Sequence, residues 1–184
     1  MGETTYEPAA SPGRAIVEVC TRECGKIHAM CNRAIEQLSD DQLHMRINPH
    51  QNSIAVIMRH VSGNIRSRWT DLFTSDGEKP GRDRESEFAE QIRPRAEILA
   101  EWESAWRVLY ATLGGLNDGD LGRVVMIRRE PHTVFEAIQR QTAHYAMHMG
   151  QVLLIAKHLV GERWRYITIP PGGSSAFNAS KGMA

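Results

Sequence analysis

The stretch from Thr133 to Gly161 constrains the fold most, because it predicts one long helix that carries two histidines on its inward face. Thr133 and Glu136 form a capping box, in which both side chains bond amide groups that the first helical turn leaves unpaired. Gly161 can adopt the left-handed conformation that ends a helix. At 1.5 Å per residue this helix would be about 42 Å long. We therefore expect a helical domain built along it.

The two histidines of this helix share a stripe whose ends are apolar. At 100° per residue, His148 lies about 40° from His144, and Ile155 lies about 20° from it. Two imidazoles four residues apart can bind one metal ion. A third ligand has to come from another segment, because catalytic zinc sites use three protein ligands and keep one position open.

A second predicted helix, from Ser53 to Phe73, supplies the candidate third ligand, His60. Asn64, Ser67 and Asp71 continue the polar line of His60 beside apolar positions. Buried polar groups need partners, since an unmade hydrogen bond costs about 1–3 kcal/mol. A metal ion or a polar ligand would supply them, and the alternative is that His60 is an ordinary half-exposed histidine.

The rest of the chain adds two helices and little else with regular structure. Apolar periodicity predicts helices over Arg14–Leu38 and Glu87–Leu113, with a charged loop over Thr74–Ser86 between helices two and three. Val124–Ile127 is a β-prone run, too short to carry a sheet alone. We thus expect a flexible leader over residues 1–12, a single domain over 13–170, and a partly packed tail over 171–184.

Composition excludes several classes of protein. The 184 residues include 22 basic and 22 acidic side chains, so no overall positive field favours nucleic acid. No apolar run approaches the roughly 20 residues that cross a bilayer, and the N-terminus lacks a signal peptide. The sequence therefore predicts a cytoplasmic protein that binds neither nucleic acid nor membrane.

Three cysteines and one histidine share a face of the first helix: Cys20, Cys24, His28 and Cys31. They suggest either a thiolate metal site or reduced cysteines that pack as small apolar groups. One straight helix cannot wrap four ligands tetrahedrally around an ion, so packing is the favoured interpretation.

Motifs along nearly the whole chain after about residue 35 resemble the DinB-like superfamily, which includes YfiT-like proteins and thiol-dependent S-transferases. The resemblance is to a branch of unknown function. Its motifs are Asn52–Ala55, His60–Asn64, Arg68–Asp71, Asp76–Pro80, Glu130–Thr133, His144–Gln151, Ala156–Leu159 and Ile167–Pro170, with Phe177 and Asn178. The chain departs from this branch at Gly81, Pro171 and Gly172.

The resemblance implies an all-α, up-and-down four-helix bundle with a long crossover between helices two and three. It also implies a homodimer and a divalent metal ion held by His60, His144 and His148. Imidazole ligands suit zinc or nickel. The candidates for supporting these ligands or binding substrate are Asn64, Gln151, Arg68 and Asp71.

Two functions remain open on the sequence. The first is a metal-dependent enzyme that activates a water or a low-molecular-weight thiol to act on a small-molecule substrate, as in a hydrolase or a thiol S-transferase. No catalytic base is evident, since Asp71 lies about three turns from His60. The second is a non-catalytic, stress-linked or partner-binding dimer in which the metal is structural or absent.

Overall fold

The computed structural model describes residues 11–183, which form seven α-helices and one two-stranded sheet. The helices are α1 (Pro12–Ile35), α2 (Asp40–His44), α3 (Ile54–Trp69), α4 (Arg84–Phe88), α5 (Arg95–Gly114), α6 (Val134–Val160) and α7 (Ser174–Ser180). The strands are β1 (Val124–Ile127) and β2 (Glu130–Thr133). The structure is thus mostly helical, as the sequence predicts. The predicted leader falls mainly on residues 1–10, which lie outside the described residues.

The longest helix, α6, begins and ends where the sequence predicts. The hydroxyl of Thr133 accepts a hydrogen bond from the amide of Glu136 at 3.1 Å, and the Glu136 carboxylate accepts one from the amide of Thr133 at 2.7 Å. Gly161 ends the helix with a φ of 62°, a conformation that costs glycine little. Local capping chemistry therefore sets both ends of α6.

The other three long helices differ from their predicted lengths. Helix α1 ends at Ile35 and α3 ends at Trp69, so both are shorter at their C-termini than predicted. Helix α5 begins only at Arg95, because Pro94, with an extended ψ of 135°, occupies its N-cap. The segment from residue 84 to 88 forms the separate short helix α4, where the sequence predicts the end of a loop and the start of the third helix.

The four long helices bury a common core. Helix α3 packs mainly on α5 and α1 mainly on α6, while α3 also contacts α6 and α1 contacts α5. Trp102, Trp106 and Tyr145 are fully buried between them. The indole of Trp69 donates to the hydroxyl of Tyr145 at 2.9 Å, so this buried phenol has a partner. The packing fixes α3 and α6, the two helices that carry the histidines, side by side.

The β-prone run forms a hairpin with the residues that follow it. Strands β1 and β2 are antiparallel, with Val124 opposite Thr133 and Ile127 opposite Glu130. Val125 and Ile127 face the core and are buried. The hairpin therefore packs one face on the domain and delivers the chain directly into α6.

Candidate metal centre

Three histidines from two helices converge at one point. His60 projects from α3, and His144 and His148 project from α6 one turn apart. Their nearest ring nitrogens all lie within 4.8 Å of one another. The Nε2 atom of His144 is 3.4 Å from Nε2 of His60 and 3.1 Å from Nε2 of His148. The third predicted ligand thus lies beside the predicted pair.

The outer nitrogens of two rings define their tautomers. Nδ1 of His60 lies 2.9 Å from Oε2 of Glu87, an ionised oxygen that only accepts, so Nδ1 carries the proton. Nδ1 of His148 donates to Oε1 of Gln151 at 2.8 Å in the same way. With Nδ1 carrying the proton, Nε2 of each of these rings is the atom that can direct a lone pair towards His144.

This arrangement fits a divalent metal ion. His144 can give its single Nε2 proton to only one of the two facing lone pairs, and its buried Nδ1 has no partner among the described residues. Burial, and then the neighbouring His148 and His60, lower the pKa of His144 to about 3, and burial lowers the pKa of His148. Both rings are thus neutral at physiological pH, as metal ligands must be. Tetrahedral zinc bonds of about 2.0–2.1 Å place two nitrogens about 3.3 Å apart, close to the observed distances.

Glu87 is buried behind His60 and holds its ring. The carboxylate accepts hydrogen bonds from Nε and Nη2 of Arg82, both at 2.8 Å, in addition to the one from His60. Burial opposes its ionisation, but the hydrogen bonds from His60 and Arg82 outweigh burial and lower the pKa of Glu87. Carboxylates in this position orient metal-binding histidines and increase their basicity.

Gly63 makes room for this carboxylate. A Cβ atom at position 63 would lie 2.8 Å from Cδ of Glu87 and closer still to Oε1. Gly63 stands on α3 one turn after His60, in the middle of a helix, where glycine otherwise weakens the helix. We infer that the glycine is needed so that Glu87 can reach His60.

A cavity of about 280 Å³ adjoins the histidines, with His60 and His144 in its wall. The amides of Asn64 and Gln141 also line it, and both side chains are buried. The rest of the wall is basic and consists of Arg68, Arg82, Arg84, Arg128 and Arg140. The cavity is near the lower limit of the 300–1,000 Å³ that small-molecule pockets occupy.

One carboxylate, Glu78, ties three of these arginines together. It accepts from Nη2 of Arg68 at 3.0 Å, from Nε of Arg128 at 3.1 Å and from Nη1 of Arg82 at 3.3 Å. Arg68 also donates to Ser67 and to the carbonyl of Gly77. Glu78 thereby joins the crossover segment to both α3 and the hairpin.

The turn of the hairpin is strained, and Asp76 holds it. Arg128 and Arg129 form its two central residues with φ values of 56° and 63°, a conformation that normally selects asparagine and glycine. The Asp76 carboxylate accepts from the amide of Arg128 at 2.9 Å, from that of Arg129 at 2.7 Å and from that of Glu78 at 2.6 Å. These bonds fix Arg128 at the cavity.

A family model described as a protein of unknown function, DUF1572, matches residues 12–173. The chain belongs to the DUF1572 family. None of the curated proteins matches it. The matched range includes the three histidines, Glu87 and the arginines of the cavity wall.

The four predicted supporting residues of this DUF1572 chain take different positions. Gln151 contacts His148, and Asn64 and Arg68 line the cavity. Asp71 does not join them, because α3 ends at Trp69. Asp71 follows with a φ of 49°, is exposed, and does not line the cavity. The predicted line of polar residues on the second helix is therefore too long by one residue.

The cysteines of the DUF1572 chain pack in the core. Cys20, Cys24 and Cys31 are all buried and unpaired. His28 instead contacts the hydroxyl of Tyr110 and the carboxylate of Glu103, both at 3.1 Å. Among the residues described, the three histidines are the one group with metal-ligand geometry. The cysteines thus lie in the core, where the packing interpretation places them.

Sequence reasoning missed Glu87 and most of the basic cavity wall, including Arg128 and Arg140. Glu87 reads as an ordinary acidic residue at the start of a helix, and Arg128 and Arg140 read as exposed cations. The only local signal is Gly63 in the middle of α3, which predicts a close approach of another group without identifying that group.

No helix within residues 11–183 is long and apolar enough to cross a membrane.

Proposed function

We propose that this chain is a metal-dependent enzyme with a DinB-like, up-and-down four-helix bundle. His60, His144 and His148 would hold the ion through their Nε2 atoms. The observation that carries the proposal is the convergence of these nitrogens, two of which direct lone pairs at the third. A divalent ion bound there supplies Lewis-acid chemistry, which lowers the pKa of a bound water or stabilises a thiolate.

The protein's own groups would orient the ligands and keep one side of the centre accessible. Glu87 and Gln151 each accept the outer proton of one histidine, so both rings are fixed in the tautomer that binds metal. The cavity against His60 and His144 leaves room for a substrate at the centre. A structural zinc site would normally have four protein ligands, and three support an open site.

The available bases favour a thiol over a water as the nucleophile. No carboxylate lines the described cavity, and the two nearest, Glu78 and Glu87, are held in ion pairs with arginines. Their hydrogen bonds lower both pKa values despite burial, so both are weak bases. A low-molecular-weight thiol needs no strong base to lose its proton, which supports S-transferase chemistry ahead of hydrolysis.

Metal content tests the proposal. We expect about one equivalent of zinc or nickel in the purified wild type and less than about a tenth of that in His60→Ala, His144→Ala and His148→Ala. The matched control is His158→Ala, an exposed histidine on the same helix, which should retain the metal. Equal metal in all five proteins would refute the site.

Activity separates the two chemistries. The metal-loaded protein would be incubated with a generic electrophile and glutathione, bacillithiol or mycothiol, and with ester and amide substrates in parallel. Thiol consumption that disappears in His144→Ala supports transfer, whereas metal-dependent ester or amide cleavage supports hydrolysis. Rates equal to the uncatalysed background in every reaction would contradict the enzyme and favour a non-catalytic bundle.

The proposal extends to a homodimer in the cytoplasm. Met147 and Leu154 are 53% and 65% exposed on the outer face of α6, two turns apart, and such apolar side chains suit a helix interface. Sedimentation of the wild type beside Leu154→Glu measures this. A wild type that sediments as a monomer would contradict it.

A further inference from the structure

We propose that the arginine-lined cavity binds the acidic group of a small organic anion, a carboxylate or a phosphate monoester, and presents the rest of that molecule to the histidines. Anion binding is a property of the cavity itself. The anion's role as a substrate rests on the proposed function of the metal centre.

The charge of the cavity wall favours an anion. Five arginines line it, and the carboxylates that contact them are Glu78, Glu87 and Glu85. Five positive and three negative groups leave two positive charges in excess. Glu85 is 89% exposed and its contact with Arg84 is 3.5 Å, so solvent screens that pair. A ligand with one or two negative charges would balance the wall.

Apart from Arg84, which pairs with Glu85, the arginines divide into a structural and an available group. Arg82 and Arg68 are about 95% buried and are engaged by Glu87 and Glu78. Arg140 is exposed on α6 one turn before His144, and it has no ion-pair partner among the described residues. Arg128 bonds Glu78 through Nε, which leaves its two terminal nitrogens free for a ligand. Arg128 and Arg140 are therefore the residues that we expect to contact the anion.

Buried polar atoms in the same wall lack partners. Asn64 and Gln141 are 5% and 3% exposed, and the side-chain oxygen of each is buried without a hydrogen bond within residues 11–183. Nε of Arg68 is also buried and unpaired there. Unmet buried groups are rare in native proteins, and a bound ligand commonly supplies the partners. The ligand would thus combine an acidic group with hydrogen-bonding groups.

The strained turn gives independent support. A two-residue turn of asparagine and glycine would hold the same conformation with less strain than Arg128 and Arg129. Strain of this kind is retained at functional sites, and here it fixes an arginine at the cavity. The volume of about 280 Å³ restricts the ligand to a small molecule.

Calorimetric titration with inorganic phosphate, and separately with succinate, tests the proposal at low ionic strength. We expect the wild type to bind at least one of them, with phosphate alone indicating a phosphate ester and succinate alone a carboxylate. The variant Arg128→Gly/Arg140→Gln should bind about tenfold more weakly or worse, since it loses charge-assisted hydrogen bonds. Arg128→Gly eases the turn, so misfolding would not explain the loss.

Two controls make the outcome decisive. Arg107→Gln removes an exposed arginine of α5 that lies away from the cavity, and its affinity should stay within about twofold of wild type. The second control is metal-free protein, prepared by treatment with a chelator. Unchanged anion binding without metal supports the cavity even if the metal proposal fails. Binding that disappears with the metal, survives the double variant or is absent from the wild type would overturn the inference.

Discussion

Replacing Gly63 with alanine should destabilise the protein, although the same change usually strengthens a helix. Alanine is favoured over glycine inside a helix by about 0.5–1 kcal/mol. At position 63, however, the new methyl group would occupy the space of the Glu87 carboxylate. Glu87 would then lose its bonds to Arg82 and His60, and removing one partner of a buried ion pair costs about 3–5 kcal/mol. We expect a net loss of about 2–4 kcal/mol.

Urea unfolding followed by circular dichroism measures this loss, and the melting temperature should fall by about 5–15 °C. Gly25→Ala is the matched control, because Gly25 lies inside α1 and its new methyl group would meet no neighbouring atom within 4 Å. That variant should gain about 0.5–1 kcal/mol. In a Glu87→Ala background the Gly63→Ala change should no longer be costly. A Gly63→Ala protein as stable as Gly25→Ala would refute the argument that the carboxylate is held in place.

Three further changes probe the other contacts. Gln151→Leu removes the side chain that accepts the hydrogen bond from His148 Nδ1. Metal affinity, measured by chelator competition, should fall about ten- to a hundredfold. An unchanged affinity would show that Gln151 does not orient the ring. Asp76→Ala leaves the turn amides without their acceptor and should cost about 1–3 kcal/mol in urea unfolding, a loss that Asp118→Ala, at an exposed position, should not share. Burial raises the pKa of the Cys31 thiol from 9.0 to about 12. The buried neutral thiol therefore contributes its full stability below pH 9, and this contribution declines as pH rises from 9 through 12. Cys31→Ala should therefore lose less stability than the wild type between about pH 8 and about pH 11, and equal losses would contradict this assignment.

The sequence predicts those features that depend on neighbours along a helix. The capping box at Thr133 and Glu136 acts over three residues, and the spacing of His144 and His148 places both on one face by helical geometry alone. Even His60 follows from the polar positions of α3. These parts of the fold and of the candidate site could therefore be predicted without knowledge of the tertiary structure.

Features that depend on contacts across the chain could not be predicted. Glu87 follows His60 by 27 residues. Its carboxylate can be buried because Arg82 pairs with it and Gly63 leaves room for it, and these two residues come from different segments. The tight turn at Arg128 and Arg129 has no glycine or asparagine, and it forms because Asp76 bonds its amides from another part of the chain. Local propensity contradicts the observed turn, and tertiary hydrogen bonds override it.

The cavity wall combines side chains from α3, the crossover segment, the hairpin and α6. No single segment contains the binding groups, so a ligand recognises only the fully folded chain. A ligand at a hundred times its dissociation constant would then stabilise the folded state by about 2.7 kcal/mol. This corresponds to a rise in melting temperature of about 5–10 °C for a chain of this length. Thermal denaturation in the presence of small acidic metabolites could thus identify the natural ligand before any reaction is known.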